Sequence, residues 1–247
     1  MPRQIRITMN ANTVNALFHG GYQLYAMRAV QTSNRAGRPT VWSAIKGYSL
    51  QTTVGWLDGY AAYTSCSAIR VGATVSIGAS YPIVSGQVLK VGPAGLGIVA
   101  DGPADLMSAW NTTNTQLSSG LSQIPTNAPV VTDQIGGPVG AEFSPFFVAP
   151  LYGQQLDGVR VTSTLLLIFS TELLAPGTVI ERFPVSRSDT GKLESGLAVS
   201  QALLIDASED RNLSYDINAS WSWGGEAWAK TLPPDIDLVP IMVLREQ

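Results

Sequence analysis

The chain contains very few of the residues on which most metal and nucleophilic sites depend. Its 247 residues include one cysteine and one histidine. Cys66 cannot form an intramolecular disulfide, and a lone thiol favours synthesis in a reducing compartment. No CxxC, HxxxH, HExxH or GxSxG spacing occurs, so we expect no zinc site, no Ser-His-Asp triad and no cofactor. His19 precedes Gly20-Gly21, where a cation at a helix C-terminus is favourable.

Charge is also scarce and unevenly placed. Charged residues make up 13% of the chain, and no acidic residue occurs before Asp58. Residues 1–57 carry six basic side chains, whereas the remainder carries nine basic and eighteen acidic ones, which gives +6 and −9. The basic residues are scattered, so we interpret them as solubilising charges. An N-terminal face that attracts lipid headgroups or acidic glycans is the alternative. No nucleic-acid motif occurs and the pI is near 5.1, so we expect no nucleic-acid partner.

Long hydrophobic runs are absent. The longest run, Leu165 to Phe169, has the length of a strand and is far shorter than the roughly 18 residues of a membrane-spanning helix. The N-terminal sequence MPRQIRITMN lacks the apolar core of a signal peptide. We therefore expect cytoplasmic synthesis without a signal peptide, which is compatible with action outside the cell after release.

Alternation of apolar and polar residues is the strongest positive signal. From Asn212 to Trp223 every second residue is apolar, which predicts a strand with one buried face. A longer alternation at residues 71–83 predicts another strand, and Pro82 indicates that it lies at a sheet edge. Helical patterns are limited to residues 14–19 and 103–110. The sequence therefore predicts an all-β fold, an antiparallel β-sandwich with one or two short helices.

The predicted division places a first β half at residues 1–115, a connector rich in Gly, Pro and Thr at 116–144, and a second β half at 145–247. When Ser49 is aligned with Ser214, Trp56 falls on Trp221, and four of the fifteen positions are identical. This similarity is explained either by two pseudo-symmetric halves or by two ordinary strand–turn units. The two halves could also pack as a single domain.

Aromatic residues near predicted turns supply the predicted contact sites. Trp221 and Trp223 follow the core side of their strand, so we expect them to be buried, as we do Cys66. Five other rings lie where the chain is expected to turn, or in the apolar FSPFF segment, which is interpreted as a hydrophobic tip or a plug. The predicted glycan or lipid contacts are Tyr60, Tyr63, Trp228, Phe146 and Phe147.

Three functional hypotheses follow, and the sequence favours the first. It is a non-catalytic binding protein that recognises a glycan or a lipid surface at a membrane, and a soluble pore-forming or insecticidal toxin is one version of it. The alternative is a structural protein that self-assembles into a homo-oligomer through polar strand faces with few charges. The third is a glycoside hydrolase that uses two of the carboxylates Asp58, Asp216 and Glu226.

Overall fold

The computed structural model of the chain describes residues 3–126, 142–183 and 201–246, and it confirms the all-β sandwich with few short helices. Two large sheets pack face to face. The first sheet comprises β1 (Arg3–Thr8), β3 (Arg38–Pro39), β5 (Gln51–Ser65), β6 (Ala79–Ile83), β10 (Leu117–Thr126), β11 (Ser144–Leu151), β14 (Arg211–Asp216) and β15 (Ser220–Ser222). The second comprises β2 (Gln23–Thr32), β4 (Ser43–Ile45), β7 (Gln87–Val91), β8 (Gly97–Asp101), β9 (Met107–Asn111), β12 (Leu156–Ser170), β13 (Ala202–Asp206), β16 (Ala229–Leu232) and β17 (Val243–Arg245). The helices are α1 (Ala11–His19) and α2 (Val239–Met242).

Each sheet is organised around one 15-residue strand. Along one edge of β5, β1 pairs with its first part and β6 with its later part, while β10 pairs along the other edge. In the second sheet, β12 pairs with β9 and then β13 on one edge and with β2 on the other. Most pairs are antiparallel, but β1–β14, β7–β9 and β2–β17 are parallel. Both sheets therefore contain strands from the two predicted halves, and the division into halves stays a prediction.

The inner faces of the two sheets form the main core, in agreement with the alternation in the sequence. Residues such as Ile5 and Ile7 of β1 are fully buried there. Residues 212–223 form the β14–β15 hairpin instead of the single strand that we predicted. Asp216 makes the turn because its carboxylate accepts hydrogen bonds from the backbone N–H groups of Asn218 and Ala219.

The hairpin nevertheless keeps Leu213, Tyr215 and Trp221 of the alternating set on the core side. Tyr215 and Trp221 lie opposite each other, and both contact Phe169 of the second sheet, with ring centroids 4.5 Å and 5.6 Å away. Trp221 is buried as predicted, whereas Trp223 is only half-buried. Alternation therefore predicted the buried face correctly outside the turn, whereas at the turn Ala219 is exposed and Ser220 is buried.

Two further predicted elements are wrong. Residues 103–110 are not helical, because Met107–Asn111 is strand β9. In the 71–83 segment only Ala79–Ile83 is a strand, and among the described strands it pairs with β5 alone, at an edge as Pro82 indicated. The residues before it cross the outer face of the first sheet, where Val75 packs with Tyr63. Their alternation thus reflects packing of a loop on a sheet.

The predicted connector contains a strand. Residues 117–126 form β10, which lies between β5 and β11, while residues 127–141 lie outside the described part of the chain. The sequence LSSGLSQIPT resembles a loop because it is rich in small residues. In the strand, these small residues leave room for large side chains from adjacent strands. The aligned glycines of the proposed repeat also differ in structure: Gly59 is inside β5, whereas Gly224 occupies a turn at φ +81°.

Helix α1 is confirmed, but it begins earlier than expected. Its N-cap is Asn10, whose side chain accepts a 2.7 Å hydrogen bond from the backbone N–H of Thr13. His19 is the last helical residue and Gly20 the C-cap, in agreement with the predicted end. The helix joins the end of β1 in one sheet to the start of β2 in the other.

Candidate binding surface

Three of the five predicted contact residues are buried, so the prediction that they face a ligand at the surface is wrong. Tyr63, Phe146 and Phe147 are at most 2% exposed. Phe146 and Phe147 belong to β11, an interior strand of the first sheet, and not to a loop tip. Tyr63 lies beneath the segment that precedes β6, and its hydroxyl donates a 2.9 Å hydrogen bond to the carbonyl oxygen of Phe147. These rings hold the sheet together.

Tyr60 is half-buried because it belongs to a cluster around Arg28. The guanidinium lies 5.0–6.0 Å from the centroids of four rings, those of Trp42, Trp56, Tyr60 and Phe146. Its Nη1 donates to Oε1 of Gln123, and its Nε has no partner among the described residues. Burial lowers the pKa of Arg28. The cluster fills the interior between the sheets.

Trp228 is also half-buried, and its ring is already engaged. The guanidinium of Arg211 lies 5.0 Å from the indole centroid, and the indole Nε1 donates a 2.7 Å hydrogen bond to the carboxylate of Glu226. The predicted contact residues therefore form no common surface. Tyr60 packs against Phe146 and Tyr63 bonds to Phe147, whereas Trp228 lies in the separate connection between β15 and β16.

The structure separates two of the three acids of the hydrolase hypothesis, Asp58 and Asp216. Strand register places Asp216 level with the residues just before β5, so Asp58 lies about 30 Å away along the strands. The carboxylate of Asp216 accepts hydrogen bonds from the side chains of Asn10 and Thr13, and hydrogen bonding lowers its pKa. Glycosidase carboxylates stand about 5–10 Å apart. Asp58 and Asp216 are therefore too far apart to act as the catalytic pair.

Other functional features were sought in the part of the chain that the structure describes. It contains no group of three or more His, Cys, Asp and Glu side chains that could hold a metal ion. It also contains no helix with the length and apolar character needed to cross a membrane.

A cleft of about 680 Å³ lies at the ends of β3, β5, β10 and β11. The Arg38–Glu181 ion pair, with a 2.7 Å contact, forms one wall. Ser67, Ser118 and the exposed Cys66 line other parts, so the prediction of a buried thiol is wrong. The segment after β5 leaves the sheet at this point, which is why the thiol reaches solvent. No aromatic ring lines the cleft in the described residues.

On a different surface, exposed apolar side chains lie in one line across neighbouring strands. Strand register places Ile98 of β8 opposite Lys90 of β7, Lys90 opposite Trp110 of β9, and Trp110 opposite Leu156 of β12. We call these four residues the Trp110 row. Because neighbouring strands are about 4.8 Å apart, the row spans about 14 Å. Ile98 is 68% exposed, Leu156 49% and Trp110 37%, so the row presents three exposed apolar side chains on a sheet face, with Lys90 between Ile98 and Trp110.

The Trp110 row lies on the outer face of the second sheet, because its neighbours Leu89 and Ala109 point into the core. Elsewhere on this outer face, a second apolar cluster is covered by residues such as Phe183 and Met242. The row has no such cover among the described residues. The ammonium of Lys90 lies 5.7 Å from the centroid of the Trp110 ring. This is a cation–π contact that keeps the ring beside a positive charge.

The charges around the Trp110 row balance. Lys90 lies within the row, and Arg160 lies further along β12, where its Nε donates to the backbone carbonyl of Asp105. Asp101 and Asp105 are exposed nearby at the end of β8 and in the following loop. Two basic and two acidic groups therefore lie in or beside the Trp110 row, which gives this surface no strong preference for either sign of charge.

Sequence reasoning missed the Trp110 row for identifiable reasons. Trp110 lies in a stretch that we predicted to be helical, and Ile98 lies in the hairpin after the GPAGLG segment. The parallel pairing of β7 with β9 brings Lys90 beside Trp110, and no local pattern predicts it. The available signal was limited to Trp110 itself, an aromatic residue at the end of a short apolar stretch.

Comparison with known proteins yields no match to a family model, a curated protein or a solved structure.

Proposed function

We propose that this chain is a non-catalytic binding protein that docks on a lipid surface through the Trp110 row. The observation that carries the proposal is the in-register exposure of Ile98, Trp110 and Leu156 on one uncovered sheet face. A flat strip suits a planar bilayer interface. An indole beside an ammonium group matches the chemistry of the headgroup region, where Trp is enriched and Lys extends toward water.

The exposed fractions bound the affinity of one row. If full burial of an Ile, Leu or Trp side chain stabilises by about 2–3 kcal/mol, burying the exposed parts of the three apolar residues contributes about 4 kcal/mol. That free energy corresponds to a Kd of about 1 mM. A single row therefore supports reversible, peripheral binding.

The geometry favours lipid over glycan as the partner. A sugar stacks on the open face of an aromatic ring, and here the ammonium of Lys90 lies over the ring of Trp110. The flanking residues Ile98 and Leu156 offer no hydrogen bonds to hydroxyl groups. The balanced charges at the border predict binding to zwitterionic lipid, with only a small increase when anionic lipid is added.

Vesicle flotation with phosphatidylcholine tests the proposal. We expect the wild-type protein to float with vesicles, Ile98→Ser to weaken binding about 15-fold and Trp110→Ser about sixfold, since each removes the corresponding share of apolar burial. The matched control is Phe18→Ser. Phe18 is 70% exposed on α1, at the opposite end of the sandwich, about 45 Å along β12 from Leu156.

Two outcomes contradict the proposal. In the first, the wild-type protein binds vesicles, Ile98→Ser and Trp110→Ser bind equally well, and Phe18→Ser does not bind. The contact would then lie at the α1 end. The other is absence of binding to any vesicle, combined with selective binding to a glycan array. The toxin version of the proposal adds that bound protein releases an encapsulated dye from the same vesicles, so binding without release removes that version.

A further inference from the structure

Strand β8 has an open hydrogen-bonding edge. It is the last strand on one side of the second sheet, and among the described strands it pairs with β7 alone. The carbonyl of Leu96 accepts from Gly92, and the N–H of Gly102 donates to Gly86, so even-numbered residues direct their backbone groups toward β7. In an antiparallel pair these directions alternate. The N–H and C=O groups of Val99 therefore point away from β7.

The open edge has few of the features that prevent edge-to-edge pairing. Its sequence, Gly97-Ile98-Val99-Ala100-Asp101, contains no proline and a single charge at its end. Natural edge strands are usually protected by charged residues, prolines or bulges. The N–H of Gly97 is already bonded, because it donates a 2.9 Å hydrogen bond to the hydroxyl of Tyr81. The N–H groups of Val99 and Asp101 are the donors that a neighbouring strand would meet.

We propose that a second copy of this chain pairs with β8 along this edge, antiparallel and about a two-fold axis at Val99. Val99 then lies opposite Val99 of the second copy, Ile98 opposite Ala100, and Gly97 opposite Asp101. No charge faces a like charge directly in this register. The two Val99 residues exchange two hydrogen bonds.

This dimer changes the proposed lipid contact. A two-fold axis perpendicular to the sheet leaves the outer faces of both copies on the same side, so the two Trp110 rows join into one surface. Two linked contacts bind far more tightly than one, because the second contact forms within the same complex. This consequence rests on the proposed lipid binding, whereas the dimer itself does not.

Disulfide trapping in solution tests the register. Ile98→Cys and Ala100→Cys chains are prepared separately on a Cys66→Ser background, mixed and oxidised. The two introduced thiols face each other as a non-hydrogen-bonded pair with Cα atoms about 4.5 Å apart, within disulfide range. In a sample of Ile98→Cys alone, the thiols lie on a diagonal about 7–8 Å apart. We expect cross-linking in the mixture to be at least tenfold faster than in either chain alone.

Sedimentation equilibrium supplies an independent measurement. Val99→Pro removes the outward N–H without removing a hydrogen bond to β7, and we expect it to raise the dimer Kd at least about tenfold because the Val99 pair loses both bonds. Val99→Ala keeps the N–H and is the matched control. A wild-type chain that remains monomeric at all concentrations, or a mixture that cross-links no faster than either chain alone, overturns the proposal. Neither experiment contains lipid, so failure of the dimer is distinguishable from failure of lipid binding.

Discussion

Gly120 of β10 provides a quantitative test of the packing around Tyr63. Gly120 lies between Tyr63 of β5 and Val148 of β11, and the Tyr63 ring lies across it. A Cβ at position 120 would lie 1.9 Å from the carbonyl oxygen of Phe147 and 2.6 Å from the Tyr63 hydroxyl. These two atoms form the hydrogen bond that anchors the ring. Gly120→Ala must therefore displace both neighbouring strands or break that bond.

The cost of Gly120→Ala follows from these two effects. Overpacking in a buried site costs about 1–3 kcal/mol, and a buried hydrogen bond left unsatisfied costs a similar amount, so we expect a loss of about 3–5 kcal/mol. For a domain of this size, each kcal/mol lowers Tm by about 2–4 °C, which predicts a Tm about 6–20 °C lower. Thermal unfolding followed by far-UV circular dichroism or calorimetry measures the change.

Gly59→Ala is the matched control for this prediction. Gly59 also lies inside a strand, but no atom lies within 4 Å of its added Cβ and its φ is not positive. We expect a change within about 1 kcal/mol, with a slight gain from reduced freedom of the unfolded chain. If Gly120→Ala and Gly59→Ala have the same Tm, Tyr63 does not pack across β10 as described and the reasoning is refuted.

Three further predictions concern buried polar groups and the thiol. Burial raises the pKa of Asp157, although its carboxylate accepts hydrogen bonds from Asn34 and Gln155, so its ionised form is less favourable in the folded than in the unfolded state. Asp157→Asn should therefore raise Tm at pH 7, and this gain should vanish as the pH falls below about 3.8. Melting curves recorded at a series of pH values measure both effects. Arg28→Ala should cost about 3–5 kcal/mol because it leaves a cavity among four rings, whereas Arg28→Met, which keeps the volume, should cost less than about 1.5 kcal/mol in urea unfolding. Cys66 is exposed, so the native protein should take up one equivalent of a thiol reagent without denaturant, and a thiol that reacts only in urea would contradict its position.

Much of the fold was predictable from local pattern. Alternation correctly marked Leu213, Tyr215 and Trp221 of the β14–β15 hairpin as core residues, because a half-buried strand needs one apolar face. It failed where both faces are covered or where a loop packs on a sheet. In β11 all eight residues are buried, so the strand has no polar face, and its Pro and Phe residues suggested a loop.

The error about Tyr63 has the same origin. Gly59 suggested a turn, and a ring after a turn was expected to face solvent. In the structure β5 continues for six residues past Gly59, and the outer face of the sheet is covered by a segment that follows later in the chain. Cover of this kind depends on contacts between distant residues. Local periodicity therefore assigns a residue to a face, but it cannot tell whether that face is open.

The same limit explains why the proposed binding surface, the Trp110 row, could be recognised only in the folded structure. Its four residues come from four strands, and only their register makes them contiguous. In the proposed lipid contact, the apolar area of one row corresponds to a Kd of about 1 mM, which is too weak for stable attachment of a single chain. Coupling two rows across β8 raises the affinity without any new kind of contact. If the protein acts at a lipid surface through this face, pairing along β8 therefore strengthens its attachment without additional contact residues. Val99→Pro should then weaken vesicle binding, although it leaves all four residues of the row unchanged.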